Sequence, residues 1–317
     1  MRVLITGAGG FVGNHLAAHL GQAQSNAQLF GTTLFESETV HTAISENRLI
    51  DLKDDAQTRA LLADCRPDAI YHLAAQAFVP RSFEDPWETL ENNILSQLNI
   101  IKVCLDLKLR PRILVVSSAE IYGAVSPDQL PLDEDSAIRP TNPYSVSKVA
   151  QDMLGLQYHL SHDLPIMRAR PFNHIGPGQN SRFVAPAFAM QIASIEEGQR
   201  EAVINVGNLT AKRDFTDVRD IVRAYRLIVE KGQPGQAYNV SSGLAHSIEQ
   251  LLKILLGLSE IEIEIRVDPA RLRPVDVPEI RGDSGKLRRD TGWRPSLSFE
   301  ETLQDVLADC RHRGEQG

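Results

Sequence analysis

Along the first half of the chain, short apolar and β-branched runs alternate with longer stretches whose apolar positions recur at helical spacing. Runs at residues 2–6, 28–31, 48–52, 69–74, 113–117 and 166–169 predict strands. Each is apolar on both parities, as in strands covered by helices on two faces. Helices are predicted between them at 11–21, where Val12, Leu16 and Leu20 share a face, and at 87–107 and 143–160. Asn142 followed by Pro143 supplies a capping residue and then proline at the first helical position. This order predicts parallel βαβ units, and so an α/β fold of the Rossmann-type, doubly wound kind.

After about residue 170 the rhythm changes. Proline, glycine and asparagine cluster at 171–179, where the chain is expected to leave the sheet. A strand at 202–206, a helix at 218–230 and a strand at 237–240 follow, so any boundary is interleaved. The polar tail 311–317 is expected to fray.

Composition narrows the classes. The formal net charge of −8 is a poor match for a nucleic-acid backbone. No apolar run approaches the ~18 residues of a membrane span. The apolar start at residues 3–5 is too short for a signal-peptide core and runs directly into glycines. Three dispersed cysteines, Cys65, Cys104 and Cys310, argue against a disulfide framework and against zinc, and a cytoplasmic compartment follows.

The chemistry begins at Gly7-Ala8-Gly9-Gly10-Phe11-Val12-Gly13, between a predicted strand and a predicted helix. Gly7 allows a tight turn, Gly10 lets backbone approach a pyrophosphate, and Gly13 lets helix and strand pack closely. The anion would sit at the amide-rich start of the helix. Strand two ends in Gly31-Thr32-Thr33-Leu34, which offers neither the acid that holds the ribose diol of NAD nor an arginine for the 2′-phosphate of NADP. Either cofactor is admitted, and the missing carboxylate tips the reading toward NADP. Thr32, Asp51 and Leu52 are candidate adenosine contacts, and Asp51 is also placed to cap the next helix.

The second motif is Tyr144-Ser145-Val146-Ser147-Lys148, with tyrosine and lysine one helical turn apart. A free phenol has a pKa of about 10. A neighbouring ammonium is expected to lower it and make Tyr144 a usable acid or base. Ser118, at the carboxyl end of strand five, is placed to donate to a carbonyl oxygen, and Glu120 reads either as a general base or as a solvated carboxylate.

Taken together, the segments at 7–13, HLAA (72–75), SSAEIYG (117–123), PYSVSK (143–148), RPFNHIGPGQ (170–179), 207–225 and 272–295 resemble the extended short-chain dehydrogenases that act on nucleotide sugars. The likeness spans nearly the whole chain. Within that group it points to the GDP-mannose pathway, with GDP-4-keto-6-deoxymannose reductases first and GDP-mannose 4,6-dehydratases next. It implies Ser118, Tyr144 and Lys148 as catalytic residues, and Phe11, Val12, Ala74 and Ala75 beside the cofactor. By the same likeness His72 lines the crevice, although core packing is its better physical role. Asn173, Val184, Arg213 and Arg273 are implied around the nucleotide sugar, the arginines as phosphate clamps. Also implied are a homodimer through the helices starting near 87 and 143, and two domains. One is a nucleotide-binding domain of 1–170 with 207–242 returning to it; the other is a smaller sugar-nucleotide domain of 171–206 and 243–317.

Residues near strand five separate the two activities. A dehydratase must remove the C5 proton and expel the C6 hydroxyl, which needs a base with a proton donor beside it. Glu120 stands at the base, but the donor position is Ala119. A reductase needs only hydride delivery to the C4 ketone and a proton from Tyr144, so the reductase is favoured. A cofactor-binding sensor without turnover would be expected to lose Tyr144 or Lys148, and both are present.

Overall fold

The computed structural model describes residues 1–268 and 277–314. The chain runs through β1 (Arg2–Thr6), α1 (Phe11–Ala23), β2 (Gln28–Thr33), β3 (Ile44–Leu49), α2 (Asp55–Cys65), β4 (Ala69–His72), the short α3 (Val79–Glu84), α4 (Pro86–Asp106), β5 (Arg112–Val116), α5 (Pro143–His162) and β6 (Ile166–Pro171). It continues through β7 (Asn173–Ile175), α6 (Val184–Glu196), β8 (Val203–Val206), β9 (Lys212–Asp217), α7 (Val218–Lys231) and β10 (Ala237–Val240). The described C-terminal elements are β11 (Ala245–Ser247), α8 (Ile248–Gly257), β12 (Glu264–Val267), β13 (Glu279–Ile280), α9 (Gly285–Thr291) and α10 (Phe299–Gly314).

Seven parallel strands form the main sheet in the order β10-β6-β5-β4-β1-β2-β3. From β1 the chain winds outward to β3 and then returns to β4 on the other side of β1. The winding reverses there, and in such sheets ligands bind outside the carboxyl ends of the strands at that point. Alternation along β1 builds both layers of the core. Val3 and Ile5 pack with Leu16 and Leu20 of α1 and Tyr225 of α7, while Leu4 packs on the opposite face with Leu61, Ile70 and Ile100. A separate apolar cluster joins α6, α8 and α10 around Phe188, Leu251 and Leu303. Beside it lie two smaller sheets, one in which β9 pairs with β11, β13 and β7, and one of β8 and β12.

Several expectations shift. β3 begins at Ile44 rather than 48, because it is an edge strand whose polar Ser45, Glu46 and Asn47 meet solvent; residues 50–52 leave it as a loop. Asp51 does not cap α2: Asp54 does, accepting from the amides of Ala56 and Gln57 at 2.9 and 3.1 Å. β9 belongs to a small sheet, so the chain re-enters the main layers through α7 and β10 and not from residue 207. The predicted fraying from residue 311 does not occur up to Gly314. There Arg311 extends α10 and pairs with Glu196 at 2.7 Å; residues 315–317 lie outside the described residues.

Candidate active site

The glycines do separate jobs. Gly7 has φ +68°, and a Cβ on it would lie 3.0 Å from the Ala74 backbone. A Cβ on Gly13 would come within 2.3 Å of the Gly7 carbonyl oxygen, so α1 packs against the loop only with glycine there. Gly10 starts α1 with no side-chain cap, which leaves the first helical amides to an anion. The loop is held from behind: Ala8 N donates to Thr32 O at 2.9 Å, and Thr6 Oγ1 accepts from the Leu73 and Ala74 amides at 3.2 Å each. His72 Nδ1 is hydrogen-bonded to Thr6 Oγ1 at 2.9 Å. Burial, and then the charge of Lys148, bring the His72 pKa down to about 3, so this imidazole is a neutral packing group.

Two cavities meet at this loop. One, of about 330 Å³, is bounded by Thr32, Asp51, Leu52 and Ala74; the other, of about 340 Å³, by Phe11, Val12, Gly13, Ser118, Tyr144 and Lys148. Gly7, Gly10, Leu73 and Ala75 border both. A glycine cradle that a Cβ would fill, set at the waist of two joined cavities, fits a dinucleotide with its pyrophosphate at the waist.

The reacting end is assembled by α5 and β5. Asn142 caps α5, accepting from Ser145 N at 2.8 Å while Ser145 Oγ accepts from Asn142 N at 3.1 Å. This sets the first turn, which carries Tyr144. One turn on, Lys148 Nζ lies 5.9 Å from the Tyr144 ring centre and donates to Val116 O at 2.9 Å and Gln151 Oε1 at 2.8 Å. Tyr144 and Ser118 border the same cavity, and Ser118 Oγ accepts from Glu120 N at 3.2 Å. Glu120 borders the same cavity and accepts from Asn142 Nδ2 at 3.4 Å.

The expected lowering of the Tyr144 pKa by Lys148 is not found. Burial pushes the phenol up to about 12; the Ser118 hydroxyl nearby opposes that rise and the Glu120 charge adds to it. Burial also brings Lys148 down to about 7, which weakens the ammonium that was to do the lowering. Spacing along the helix revealed the pair but not the dryness around it.

A pH dependence of stability follows. Between pH 7 and about 10 the unfolded chain keeps a proton on Lys148 that the folded chain has released, so stability should rise with pH across that window. Below it both states carry the proton and the burial penalty is felt in full. Urea unfolding should show that Lys148→Met gains on wild type at pH 6 and loses that gain by pH 10. A constant difference across the range would refute the assignment.

The nucleotide-sugar candidates divide. Asn173, at the start of β7, lines the larger cavity with His174, whose ring stacks on Phe11 at 6.2 Å. Val184 does not line it: it is the first residue of α6 and packs on the apolar cluster beneath, while the preceding Phe183 borders the cavity. Arg213 borders neither cavity, and its Nη1 donates to the carbonyls of Lys212 and Val277, each at 2.8 Å. Arg273 lies outside the described residues. Asp214, the neighbour that could have paired Arg213, is buried and accepts from the amides of Ser242, Gly243 and Gly282. Sequence reasoning missed Phe183, His174 and Glu38. Glu38 sits five residues beyond β2, where no spacing rule reaches.

Fold and site together define an oxidoreductase of the short-chain dehydrogenase type, and comparison with known proteins makes the class specific. The chain belongs to the GDP-mannose 4,6-dehydratase family, whose model matches residues 4–306. It is 36% identical to the GDP-6-deoxy-D-mannose reductase of Pseudomonas aeruginosa, over 98% of each chain. Among solved structures it is similar to RMD from Pseudomonas aeruginosa complexed with NADPH, with TM-score 0.88 and 35% identity over 98% of this chain and 99% of that one. It is also similar to a UDP-glucose 4-epimerase of Thermus thermophilus in complex with NAD, with TM-score 0.87 and 27% identity over 98% and 99%.

Proposed function

We propose that this enzyme reduces the C4 ketone of GDP-4-keto-6-deoxymannose to GDP-6-deoxymannose, using NADPH or NADH. The carrying observation is the buried trio of Ser118, Tyr144 and Lys148 around one cavity, with an apolar residue where elimination would need an acid. Ala119 is buried among Ile121, Tyr122, Leu132 and Phe172, so the position beside Glu120 carries no proton donor, and the Tyr122 hydroxyl of the same turn donates to Asn239 Oδ1 at 2.7 Å. The likeness to the Pseudomonas reductase along its full length supports the same choice.

A reduced nicotinamide along the crevice would supply the hydride. The glycine loop, Thr32, Asp51, Leu52, Ala74 and Ala75 would hold the dinucleotide. Ser118 donates to the ketone oxygen and fixes it beside Tyr144, and Tyr144 gives its proton to the alkoxide. Its raised pKa suits this direction, because the phenol must be protonated before an alkoxide, a far stronger base, draws the proton away. Lys148 faces the phenolate that remains. Asn173 and Phe183 border the sugar end of the cavity, and Arg213, Arg273 and Val184 are proposed around the GDP moiety.

The second reading, GDP-mannose 4,6-dehydratase, is sustained by Glu120 at the rim of the cavity. Stoichiometric oxidation of NADPH or NADH on adding the ketosugar is expected. Conversion of GDP-mannose to that ketosugar with no net cofactor change would instead establish the dehydratase.

The same reading extends to organisation. Residues 1–170 together with the α7–β10 return form the cofactor part, and 171–206 with 243–317 the sugar-nucleotide part. A homodimer is proposed through α4 and α5, which pack on each other and expose Trp87, Val146 and Leu160. A cytoplasmic setting suits three buried free cysteines. No helix among the described residues is long and apolar enough to cross a membrane.

A further inference from the structure

The loop after β2 doubles back on itself. The amides of Leu34 and Phe35 donate to Glu38 Oε2 at 2.7 and 3.0 Å, and Glu38 N returns a bond to Phe35 O at 3.2 Å. Asn14 of α1 pins the loop to the glycines, its Nδ2 donating to Thr39 O at 3.1 Å and to Gly9 O at 3.0 Å. Gly9 makes the room: a Cβ there would lie 2.7 Å from Glu38 Cβ. Glu38 therefore borders the cavity beside the glycine loop, on a wall that also includes Ile50, Asp51 and Leu52. In a dinucleotide whose pyrophosphate lies on the glycines, the adenosine ribose is the next group along this cavity.

We propose that Glu38 sets the cofactor preference, receiving the ribose hydroxyls and disfavouring a 2′-phosphate, so that NAD(H) binds more tightly than NADP(H). The inference rests on the cofactor reading above and deepens it. The Leu34 and Phe35 amides are the donors a 2′-phosphate would use at this place, and one Glu38 oxygen already takes both. Among the described residues no donor reaches the other oxygen, Oε1, which is left for a hydroxyl. The rest of the wall agrees in sign. It carries Glu38, Asp51 and Glu88 against Lys53 and no arginine, and Lys53 is itself shared between Asp51 at 3.8 Å and Glu91 at 3.5 Å. The carboxylate missing from positions 31–34 is thus supplied from further along the chain.

The test is a fluorescence titration of the whole protein with NADH and with NADPH, without sugar substrate. Wild type should bind NADH more tightly. Glu38→Gln keeps an acceptor for both loop amides and removes the charge, so the ratio of the NADPH Kd to the NADH Kd should fall about tenfold. Glu38→Ser, which opens the place further, should move the ratio the same way. An unchanged ratio in both variants overturns the proposal, as does parallel weakening of both cofactors, which would make Glu38 a loop-forming residue only. Failure of wild type to bind either dinucleotide would overturn the cofactor reading itself, a result distinct from both.

Discussion

Tyr144→Phe is expected to lower kcat by roughly a thousandfold while leaving the Kd for NADH or NADPH within about twofold of wild type. In the proposed reaction the phenol gives its proton to the developing alkoxide, and phenylalanine keeps the ring that Lys148 Nζ faces at 5.9 Å. The neighbours replace the lost proton poorly: Ser118 is a far weaker acid, Ala119 has none to give, and the Lys148 ammonium is directed to Val116 O at 2.9 Å and Gln151 Oε1 at 2.8 Å. The raised Tyr144 pKa adds a signature. Wild-type reduction should show no decline at about pH 10, where an ordinary phenol titrates, since burial keeps this one protonated to about 12, while a change near pH 7 would report Lys148. Steady-state rates with the ketosugar, beside cofactor titrations, measure both parts. A variant with near-normal kcat would remove Tyr144 as the donor.

What could be read from the chain was whatever is local in sequence. The glycine spacing, the Tyr144–Lys148 turn and the Asn142 cap each fall within seven residues, and period and capping chemistry carry such signals directly. The main sheet was legible because buried parallel strands are apolar on both faces. β3 was partly missed because an edge strand is not, and β7, β11 and β13, of two or three residues, are too short for any period to show. Contacts set by distant segments were hidden. Glu38 reaches the crevice through a loop that folds back, and Arg213 turns to the Val277 carbonyl 64 residues on. The sign of the Tyr144 shift was hidden for the same reason, since spacing places a lysine nearby but cannot show that both groups are dry.

Asp152→Ala is expected to cost about 3–5 kcal/mol of stability, the largest loss predicted for any single side chain here. Asp152 follows Lys148 by one turn of α5 and is fully buried, with Arg168 and Arg170 of β6 buried around it. Its Oδ1 accepts from Arg168 Nη1 at 2.6 Å and Arg170 Nη2 at 3.0 Å, and its Oδ2 from Arg170 Nε at 2.8 Å. Burial opposes the charge, but the two guanidiniums outweigh it and hold the carboxyl below its usual range. Removing Asp152 leaves two guanidiniums in the interior without their counter-charge. The contribution is present above the ordinary carboxylate pKa of about 4 and is lost as pH falls through the lower folded value, so the gap between variant and wild type should narrow on acidification. Replacing all three residues together by apolar ones of similar volume should recover most of the stability, because no orphan charge remains. Activity should not recover with it. The same network ties α5 to β6, with Arg170 continuing to the Tyr122 hydroxyl at 3.1 Å in the turn that also carries Ala119 and Glu120. Asp152 is thus a positioning residue: urea unfolding should track the charge balance, and kcat the placement of Tyr144 and Lys148. A loss below about 1 kcal/mol on Asp152→Ala would show that the network does not anchor the helix.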